Sequence, residues 1–216
     1  MSGSCSFCQN QNLMRITHNE IKNRTYYHCQ NCDLIFCPSE EHLSCTEEKL
    51  RYEIHENNPY DLGYQEFILK FAGPVLTQIQ NRKIESALDY GAGKGSPLAN
   101  LFAEKKIKVY EFDPYFKNHL HLLEKKYDLV MSTEVVEHFR NPNEDFQKML
   151  SLVNNKGILA LMTQFHQGVD HFQDWWYARD LTHVCFYSEK TFNYFAEKQA
   201  LKVCYLRTPV AIFLKQ

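Results

Sequence analysis

Four cysteines near the start of the chain have the spacing of a metal site. They form two Cys-x-x-Cys pairs, Cys5 with Cys8 and Cys29 with Cys32, and twenty residues separate the pairs. Two such pairs supply the four thiolates that hold Zn²⁺ in a tetrahedral structural site. Because a segment of about thirty residues buries too little apolar surface to fold alone, the ion would stabilise it.

A glycine-rich turn follows the first strand of the central region. Ile84–Tyr90 is a predicted strand, and it leads into Gly91-Ala92-Gly93-Lys94-Gly95. Glycines allow positive φ angles and a close approach of the backbone to a ligand, and the helix that follows offers free N–H groups. A second strand ends at Asp113, twenty residues after Gly93. The sequence therefore predicts a ligand site at the carboxyl ends of these strands.

Carboxylate and imidazole side chains follow two later strands. Glu134, Glu137 and His138 come directly after the strand Tyr127–Thr133, and His183 comes after the fifth strand. If the first segment is helical, positions i, i+3 and i+4 lie on one face. Such a set suits Mg²⁺, Mn²⁺, Fe²⁺ or Zn²⁺ without choosing among them. Without a metal, Glu134, His138 or His183 would be a candidate general base.

Short apolar segments alternate with amphipathic ones over residues 83–216, which predicts an α/β fold with a mostly parallel sheet covered on both faces. Leu201–Arg207 and Val210–Lys215 are joined too tightly for a crossover helix, so a closing antiparallel hairpin is predicted. Residues 1–45 are predicted to form a zinc-ribbon-like module. Residues 46–82 are predicted to form a helical connector that covers the ligand site.

Two polar segments rich in aromatic residues flank this predicted core. The connector is interrupted at Gly73-Pro74 and contains Tyr52, His55, Asn57, Asn58, Tyr60 and Tyr64. Residues 164–183 follow the fifth strand and include the adjacent Trp175 and Trp176. Paired tryptophans in a polar loop are unusual unless they wall a pocket or pack a domain junction. We therefore expect the substrate to contact this loop.

Composition and charge narrow the class of protein. The formal net charge is −2, whereas a nucleic-acid binder usually carries a basic excess, so a small-molecule substrate is favoured over RNA. The first thirty residues contain no apolar signal segment, and the longest apolar stretch, Ile158 to Met162, is too short to span a membrane. We therefore expect a cytoplasmic protein without a membrane partner, whose cysteines are not disulfide-bonded.

Several segments together resemble the ordered motifs of class I S-adenosylmethionine-dependent methyltransferases. The pattern Asp-x-Gly-x-Gly-x-Gly that starts at Asp89 is similar to the first motif of that family. Three later segments resemble its fourth strand, the entry to its fifth strand and the segment before its last helix: Tyr127–Phe139, Asn155–Leu159 and His183–Ser188. The resemblance covers roughly residues 84–216, and it implies a methyltransferase enzyme with a Rossmann-like sheet.

The resemblance also implies S-adenosylmethionine as the cofactor. The residues implied to bind it are Asp89, Tyr90, Gly91, Ala92, Gly93, Asp113 and Thr133. The family's acid at the end of the second strand binds the ribose hydroxyls. Asp113 is assigned this role, because Glu111 lies two residues further inside the strand.

The chain departs from the family between its second and third predicted strands. Only thirteen residues separate Asp113 from Tyr127, where the family fits a helix and a further strand. The usual adenine contact therefore cannot be carried over. Tyr115, Phe116 and the Leu120–Leu123 cluster are candidates to replace it.

Resemblances also bear on the acceptor. Glu134, Glu137, His138 and His183 resemble the metal-binding set of small-RNA 2′-O-methyltransferases, and the Glu-x-x-Glu-His part resembles ubiquinone-pathway O-methyltransferases. A second, divalent ion there would hold an acceptor oxygen and lower its pKa. Zinc modules precede methyltransferase folds in a bacterial ribosomal-RNA guanine methyltransferase family and in sugar C-methyltransferases. A small-molecule acceptor with an oxygen or nitrogen nucleophile is the leading hypothesis, with RNA methylation and a non-catalytic methyltransferase-like binding protein as alternatives.

Overall fold

The fold was analysed in a computed structural model that describes residues 3–54, 62–95 and 97–216. Four residues of the predicted connector lie outside the described residues, namely His55, Asn57, Asn58 and Tyr60. Within the described ranges the chain contains two β-sheets and six α-helices, and none of these helices is long and apolar enough to cross a membrane.

The larger sheet has six strands in the order β5-β4-β6-β7-β10-β9. Its strands are β4 (Ser86–Tyr90), β5 (Lys108–Phe112), β6 (Tyr127–Thr133), β7 (Val153–Met162), β9 (Leu201–Arg207) and β10 (Val210–Lys215). The first four are parallel, and β10 is antiparallel to both β7 and β9. The predicted mostly parallel sheet with a closing hairpin is therefore confirmed.

Helices pack on both faces of this sheet. The helices in the described ranges are α1 (Cys45–Ile54), α2 (Leu62–Ile79), α3 (Leu98–Ala103), α4 (Pro142–Ser151), α5 (Val169–Phe172) and α6 (Glu189–Lys198). Of these, α2 and α3 lie in one apolar cluster and α4 and α6 in the other. Neighbouring strand residues point to opposite faces. Ala87, for example, packs in one apolar cluster with residues of α2 and α3, whereas Leu88 packs in another with residues of α4 and α6. The near-continuous apolar strands are thus buried on both sides, as a parallel sheet requires.

The smaller sheet joins the cysteine-rich segment to the rest of the chain. Its strands are β1 (Leu13–Ile16), β2 (Tyr26–Cys29), β3 (Ile35–Phe36) and β8 (Cys185–Phe186), in that order. Each neighbouring pair is antiparallel. Three of these strands come from the predicted zinc-ribbon-like module, and a strand from far along the chain completes their sheet.

Of two local features singled out in the sequence, one differs from the expectation and the other agrees with it. The Gly73-Pro74 step does not interrupt the connector, because α2 runs through Pro74. Proline removes one helical hydrogen bond, but Phe71 and Val75 beside it are fully buried, and this packing holds the helix together. Between β5 and β6 the chain forms a short 3-10 helix, Leu120–Glu124, in place of a further strand. The shortened element is what the thirteen-residue spacing predicts.

Candidate active site

One large cleft opens at the carboxyl ends of β4, β5 and β6. Its volume is about 980 Å³, which is enough for a cofactor and a small second ligand. It brings together ten of the residues singled out in the sequence, namely Tyr90, Gly91, Ala92, Gly93, Asp113, Thr133, Glu134, Glu137, His138 and His183. Asp89, in contrast, is only 1% exposed and does not line the cleft.

The glycine turn is shaped by two left-handed residues and by contacts with the neighbouring strand. Gly91 and Gly93 have φ angles of 86° and 60°. A Cβ atom added to Gly91 would collide with the side chain of Val135, so only glycine fits there. The Gly91 N–H donates to the carbonyl of Phe112 at 2.8 Å. The turn is thus fixed against the end of β5.

The Asp113 carboxylate organises the same corner of the cleft. Its Oδ2 accepts a hydrogen bond from the Gly93 N–H at 2.9 Å, and its Oδ1 accepts from the N–H groups of Tyr115 and Phe116 at 2.8 and 3.0 Å. The carboxylate therefore connects the glycine turn with the loop after β5. Tyr115 and Phe116 line the cleft, whereas the Leu120–Leu123 cluster does not.

Two buried carboxylates also line the cleft. Glu137 is fully buried, and neither of its oxygens makes a hydrogen bond to any described residue; one of them lies 3.8 Å from the His138 Nε2. One oxygen of Glu134 accepts from the Tyr177 hydroxyl at 3.0 Å, and the other has no described partner. Burial raises the pKa of each carboxyl to about 7, and for Glu137 the charge of Glu134 adds to the effect.

The conformation around these acids is not the helix considered from the sequence. Only Val136–His138 forms a single 3-10 turn, and Glu134 precedes it with a φ of 54°. The i, i+3, i+4 argument for a shared helical face was therefore wrong for Glu134. Glu137, His138 and His183 nevertheless have ligand-type atoms within 4.8 Å of one another, and Glu134 is outside this group.

Two histidines complete this side of the cleft in a defined tautomer. The His138 Nδ1 lies 3.0 Å from the carbonyl of Thr182, and the His183 Nδ1 lies 2.7 Å from the carbonyl of Tyr177. A carbonyl can only accept, so Nδ1 carries a proton in each ring, and Nε2 is the nitrogen that accepts a proton when the ring is neutral. The ring centroids are 4.8 Å apart. The pair thus presents basic nitrogen atoms beside the two carboxylates.

Helix α1 covers the cleft through polar contacts. The Glu48 carboxylate, 7% exposed, accepts from the hydroxyls of Tyr52 and Tyr115 at 2.6 and 3.1 Å and pairs with Arg140 at 3.0 Å. The Lys94 ammonium donates to the carbonyl of Glu53 at 3.1 Å. Glu48 and Arg140 were not predicted from the sequence, because a charged residue in a polar helix gives no sign that it is buried, and the ion pair joins residues far apart in the chain.

The two tryptophans of the loop after β7 lie in different environments. Trp176 is 61% exposed and lines the cleft with Tyr177 and Asp180. Trp175 is buried, and its carbonyl lies 3.1 Å from the Nε2 of His18 in the cysteine-rich segment. Both interpretations of the pair thus hold, one for each residue.

The four cysteines of the two pairs converge as their spacing predicts. The Sγ atoms of Cys5, Cys8, Cys29 and Cys32 lie within 4.8 Å of one another, with 3.6 Å between Cys5 and Cys32 and 3.4 Å between Cys8 and Cys29. Tetrahedral Zn²⁺ with Zn–S bonds of about 2.3 Å would separate its sulfurs by about 3.8 Å. The group therefore fits such an ion.

Comparisons with known proteins agree with this geometry. The family described as "Methyltransferase domain" matches residues 56–205, which is more than half of the chain. A search of curated proteins finds no match to the sequence.

Two solved structures illustrate the likeness of fold. Burkholderia thailandensis 1,6-didemethyltoxoflavin-N1-methyltransferase, with bound 1,6-didemethyltoxoflavin and S-adenosylhomocysteine, is 11% identical; the match covers 88% of this chain and 98% of that one, with a TM-score of 0.50. A chain of the Haloferax volcanii complex between the Trm112 methyltransferase activator and a methyltransferase is 14% identical, over 66% and 73% of the two chains, with a TM-score of 0.51.

At sequence identities this low, the likeness to the two solved structures supports only the fold. The family match adds to it, and so does the cleft, in which a glycine turn and a strand-end acid face a cluster of carboxylates and imidazoles. The chain therefore belongs to the methyltransferase-domain family and is a class I S-adenosylmethionine-dependent methyltransferase.

Proposed function

We propose that this enzyme methylates an oxygen or nitrogen atom of a small-molecule acceptor. The observation that carries the proposal is one shared cleft, which is lined by the glycine turn and Asp113 and also by Glu134, Glu137, His138 and His183. S-Adenosylmethionine, when bound, supplies an electrophilic methyl group on its sulfonium sulfur. The chain must hold that cofactor, orient the acceptor and take up a proton.

The glycine turn and Asp113 form the proposed cofactor side. Tyr90, Gly91, Ala92 and Gly93 would lie along the methionine end, with Thr133 nearby, and Asp113 would accept from the ribose hydroxyls. The buried Asp89 does not line the cleft, so it would support the glycine turn that holds the cofactor. Tyr115 and Phe116 line the cleft beside Asp113 and are the proposed contacts of the adenine.

The buried acids and the two histidines form the proposed acceptor side. The Nε2 lone pairs of His138 and His183 suit a general base that removes the acceptor's proton. Glu134 is held by Tyr177 and has one oxygen available for the same task. Glu137 would stabilise the imidazolium that forms at His138, 3.8 Å away.

A divalent ion on the acceptor side is a second candidate. Glu137, His138 and His183 are close enough to share one ion, and the buried Glu137 oxygens make no hydrogen bond to the described residues. Both imidazoles direct Nδ1–H to a backbone carbonyl, which is the usual orientation of metal-ligating histidines. Such an ion would hold the acceptor oxygen and lower its pKa.

The charge of the cleft supports a small acceptor over RNA. Among the described residues that line it, six are acidic and only Lys94 and Arg140 are basic lysine or arginine side chains. RNA binding relies on cationic side chains that neutralise phosphates. A cleft with this excess of acids would repel a phosphate backbone.

We also propose that the four-cysteine group holds one structural zinc ion. All four ligands are thiolates, so no coordination position is left for a substrate. A Cys29→Ser variant should lose the ion and unfold more readily, because the remaining three sulfurs bind zinc more weakly. Elemental analysis of chelator-free protein should give about one zinc per chain for the parent and for a Cys204→Ser control outside the group. Zinc near zero in the parent would refute this assignment.

The cofactor side can be tested without knowing the acceptor. Asp113→Ala removes a carboxylate that is 7% exposed. It should weaken S-adenosylhomocysteine binding by roughly ten- to hundredfold. Isothermal calorimetry measures the effect, with the exposed Asp170→Ala as the matched control. Equal binding by Asp113→Ala and the parent would argue against the ribose assignment.

The acceptor class can be tested with cell extract. Methyl-labelled S-adenosylmethionine and the purified enzyme should transfer label into the metabolite fraction, because the acidic cleft disfavours phosphate-rich ligands. Label in the RNA fraction would instead support the zinc-ribbon-guided alternative. Cofactor binding without transfer to either fraction would support a non-catalytic binding protein.

The acceptor-side residues predict a loss of rate with retained cofactor binding. Glu134→Gln and His183→Ala should each lower methyl transfer by roughly 10²–10⁴-fold, which is typical of lost acid–base catalysis. The exposed His119→Ala is the control. Full activity of both variants would exclude the cluster as the chemical site. If a chelator abolishes transfer while the cysteine-bound zinc stays in place, and Mg²⁺ or Mn²⁺ restores it, the acceptor-side ion is supported over a metal-free base.

A further inference from the structure

The cysteine module, defined here as residues 3–42, is paired with the strand that follows His183. Ile35 lies opposite Phe186 and Phe36 lies opposite Cys185 in the antiparallel pairing of β3 with β8. β8 is the last strand of the smaller sheet, so β3 is its strand partner there. β3 itself begins three residues after Cys32, a member of the four-cysteine group.

The backbone of one residue, Val184, links the module to the turn that carries Glu137. The Cys37 N–H donates to the carbonyl of Val184 at 2.8 Å, and the Val184 N–H donates to the carbonyl of Glu137 at 2.8 Å. Val184 directly follows His183 and is buried. The module therefore reaches the backbone of Glu137 through two hydrogen bonds in series.

Arg24 adds a second link from the module to His183. Its guanidinium is buried, with 8% exposure for the residue. Nε donates to the Cys37 Sγ at 3.1 Å, while Nη1 donates to the carbonyl of His183 at 3.4 Å. A further nitrogen reaches the carbonyl of Glu41 at 3.5 Å. One side chain thus ties two parts of the module to the residue whose imidazole faces the cleft.

Strand β8 and the residue after it, Tyr187, form hydrogen bonds to the turn that carries Glu137 and His138. The Cys185 thiol donates to the carbonyl of Phe139 at 3.3 Å, and the Tyr187 hydroxyl donates to the carbonyl of Val136 at 2.8 Å. Cys185 and Tyr187 are both buried. A displacement of β8 would therefore move the acceptor-side turn as well.

The residue after the second cysteine pair anchors the module at its other edge. Asp33 accepts from the Ser188 hydroxyl at 2.6 Å, and its carbonyl lies 2.9 Å from the His166 Nε2. Ser188 is the N-cap of α6. Residues on both sides of β8 are thus attached to the chain beside Cys32.

We propose that the zinc-held cysteine module is a positioning element of the active site, in which Arg24 and the β3–β8 pairing place His183 and Glu137 for reaction. This inference rests on the proposed function, since it takes His183 and Glu137 as acceptor-side residues. Arg24 acts through the backbone of His183 and is a positioning residue. The module is thereby an integral part of the acceptor side.

The acceptor side and the cofactor side of the cleft should respond differently when the module is disturbed. The glycine turn is held by Phe112 and Asp113 of the larger sheet. The module is bonded to residues 166–188. Disturbing the module should therefore loosen the acceptor side while the cofactor side keeps its structure.

Hydrogen exchange of the full-length protein measures this separation. Arg24→Gln should keep its zinc and accelerate amide exchange in residues 180–188 and 134–140 by about tenfold, the effect of losing one buried charged hydrogen bond. Exchange in residues 86–95 should stay unchanged, as should the affinity for S-adenosylhomocysteine. Removing zinc with a high-affinity chelator should give the same regional pattern with a larger amplitude. Arg15→Gln, at an exposed position of β1, is the matched control.

The imidazole itself provides a readout that general destabilisation would not move. In the parent, the proton on the His183 Nδ1 is held by the carbonyl of Tyr177, so its NMR resonance should be observable and should shift or broaden in Arg24→Gln at full zinc occupancy. Unchanged exchange in residues 180–188 and an unchanged His183 resonance would overturn the proposal, and so would equal acceleration in residues 86–95. Failure of the parent to bind S-adenosylhomocysteine would instead defeat the proposed function, and the exchange pattern would be judged independently of it.

Discussion

The backbone of Val184 is the point on which the arrangement of the acceptor side depends. Its carbonyl accepts from Cys37 and its N–H donates to the carbonyl of Glu137. A buried residue must satisfy both its backbone donor and its backbone acceptor, so the cysteine module and the turn after β6 are held in register by the same residue. The four-cysteine group, a short antiparallel sheet and two candidate catalytic residues thus form one connected unit.

The two sides of the cleft hold their carboxylates in opposite ways. Asp113 accepts from three backbone N–H groups, which fix the position of its carboxylate. Glu134 and Glu137 are buried with few partners, and burial raises the pKa of each to about 7. The ionised form of each carboxyl is therefore unfavourable in free energy until a cation or a proton neutralises it. The cofactor side thus has a carboxylate held in place by hydrogen bonds, whereas the acceptor side has two carboxyls whose pKa of about 7 suits proton transfer.

Much of the framework follows from local patterns in the sequence. The cysteine spacing predicts the converging sulfurs, because each Cys-x-x-Cys pair closes a tight loop whatever surrounds it. The Gly91 and Gly93 positions predict the turn, since their φ angles favour glycine. The strands β6, β9 and β10 have the predicted bounds, and the short stretch before Tyr127 correctly leaves no room for a further strand. Pro74 is the exception, because burial of its neighbours outweighs a local helix-breaking signal.

The sequence by itself determined the class of fold, the two cysteine pairs and which side chains gather at the strand ends. These features depend on spacing, periodicity and backbone conformation, which act over a few residues. Tertiary structure alone decided that Glu48 is buried over the cleft, that Glu134 leaves the group formed by Glu137, His138 and His183, and that β8 completes the sheet of the cysteine module. Those outcomes depend on contacts between segments far apart in the chain, whose burial and hydrogen bonding no local pattern encodes.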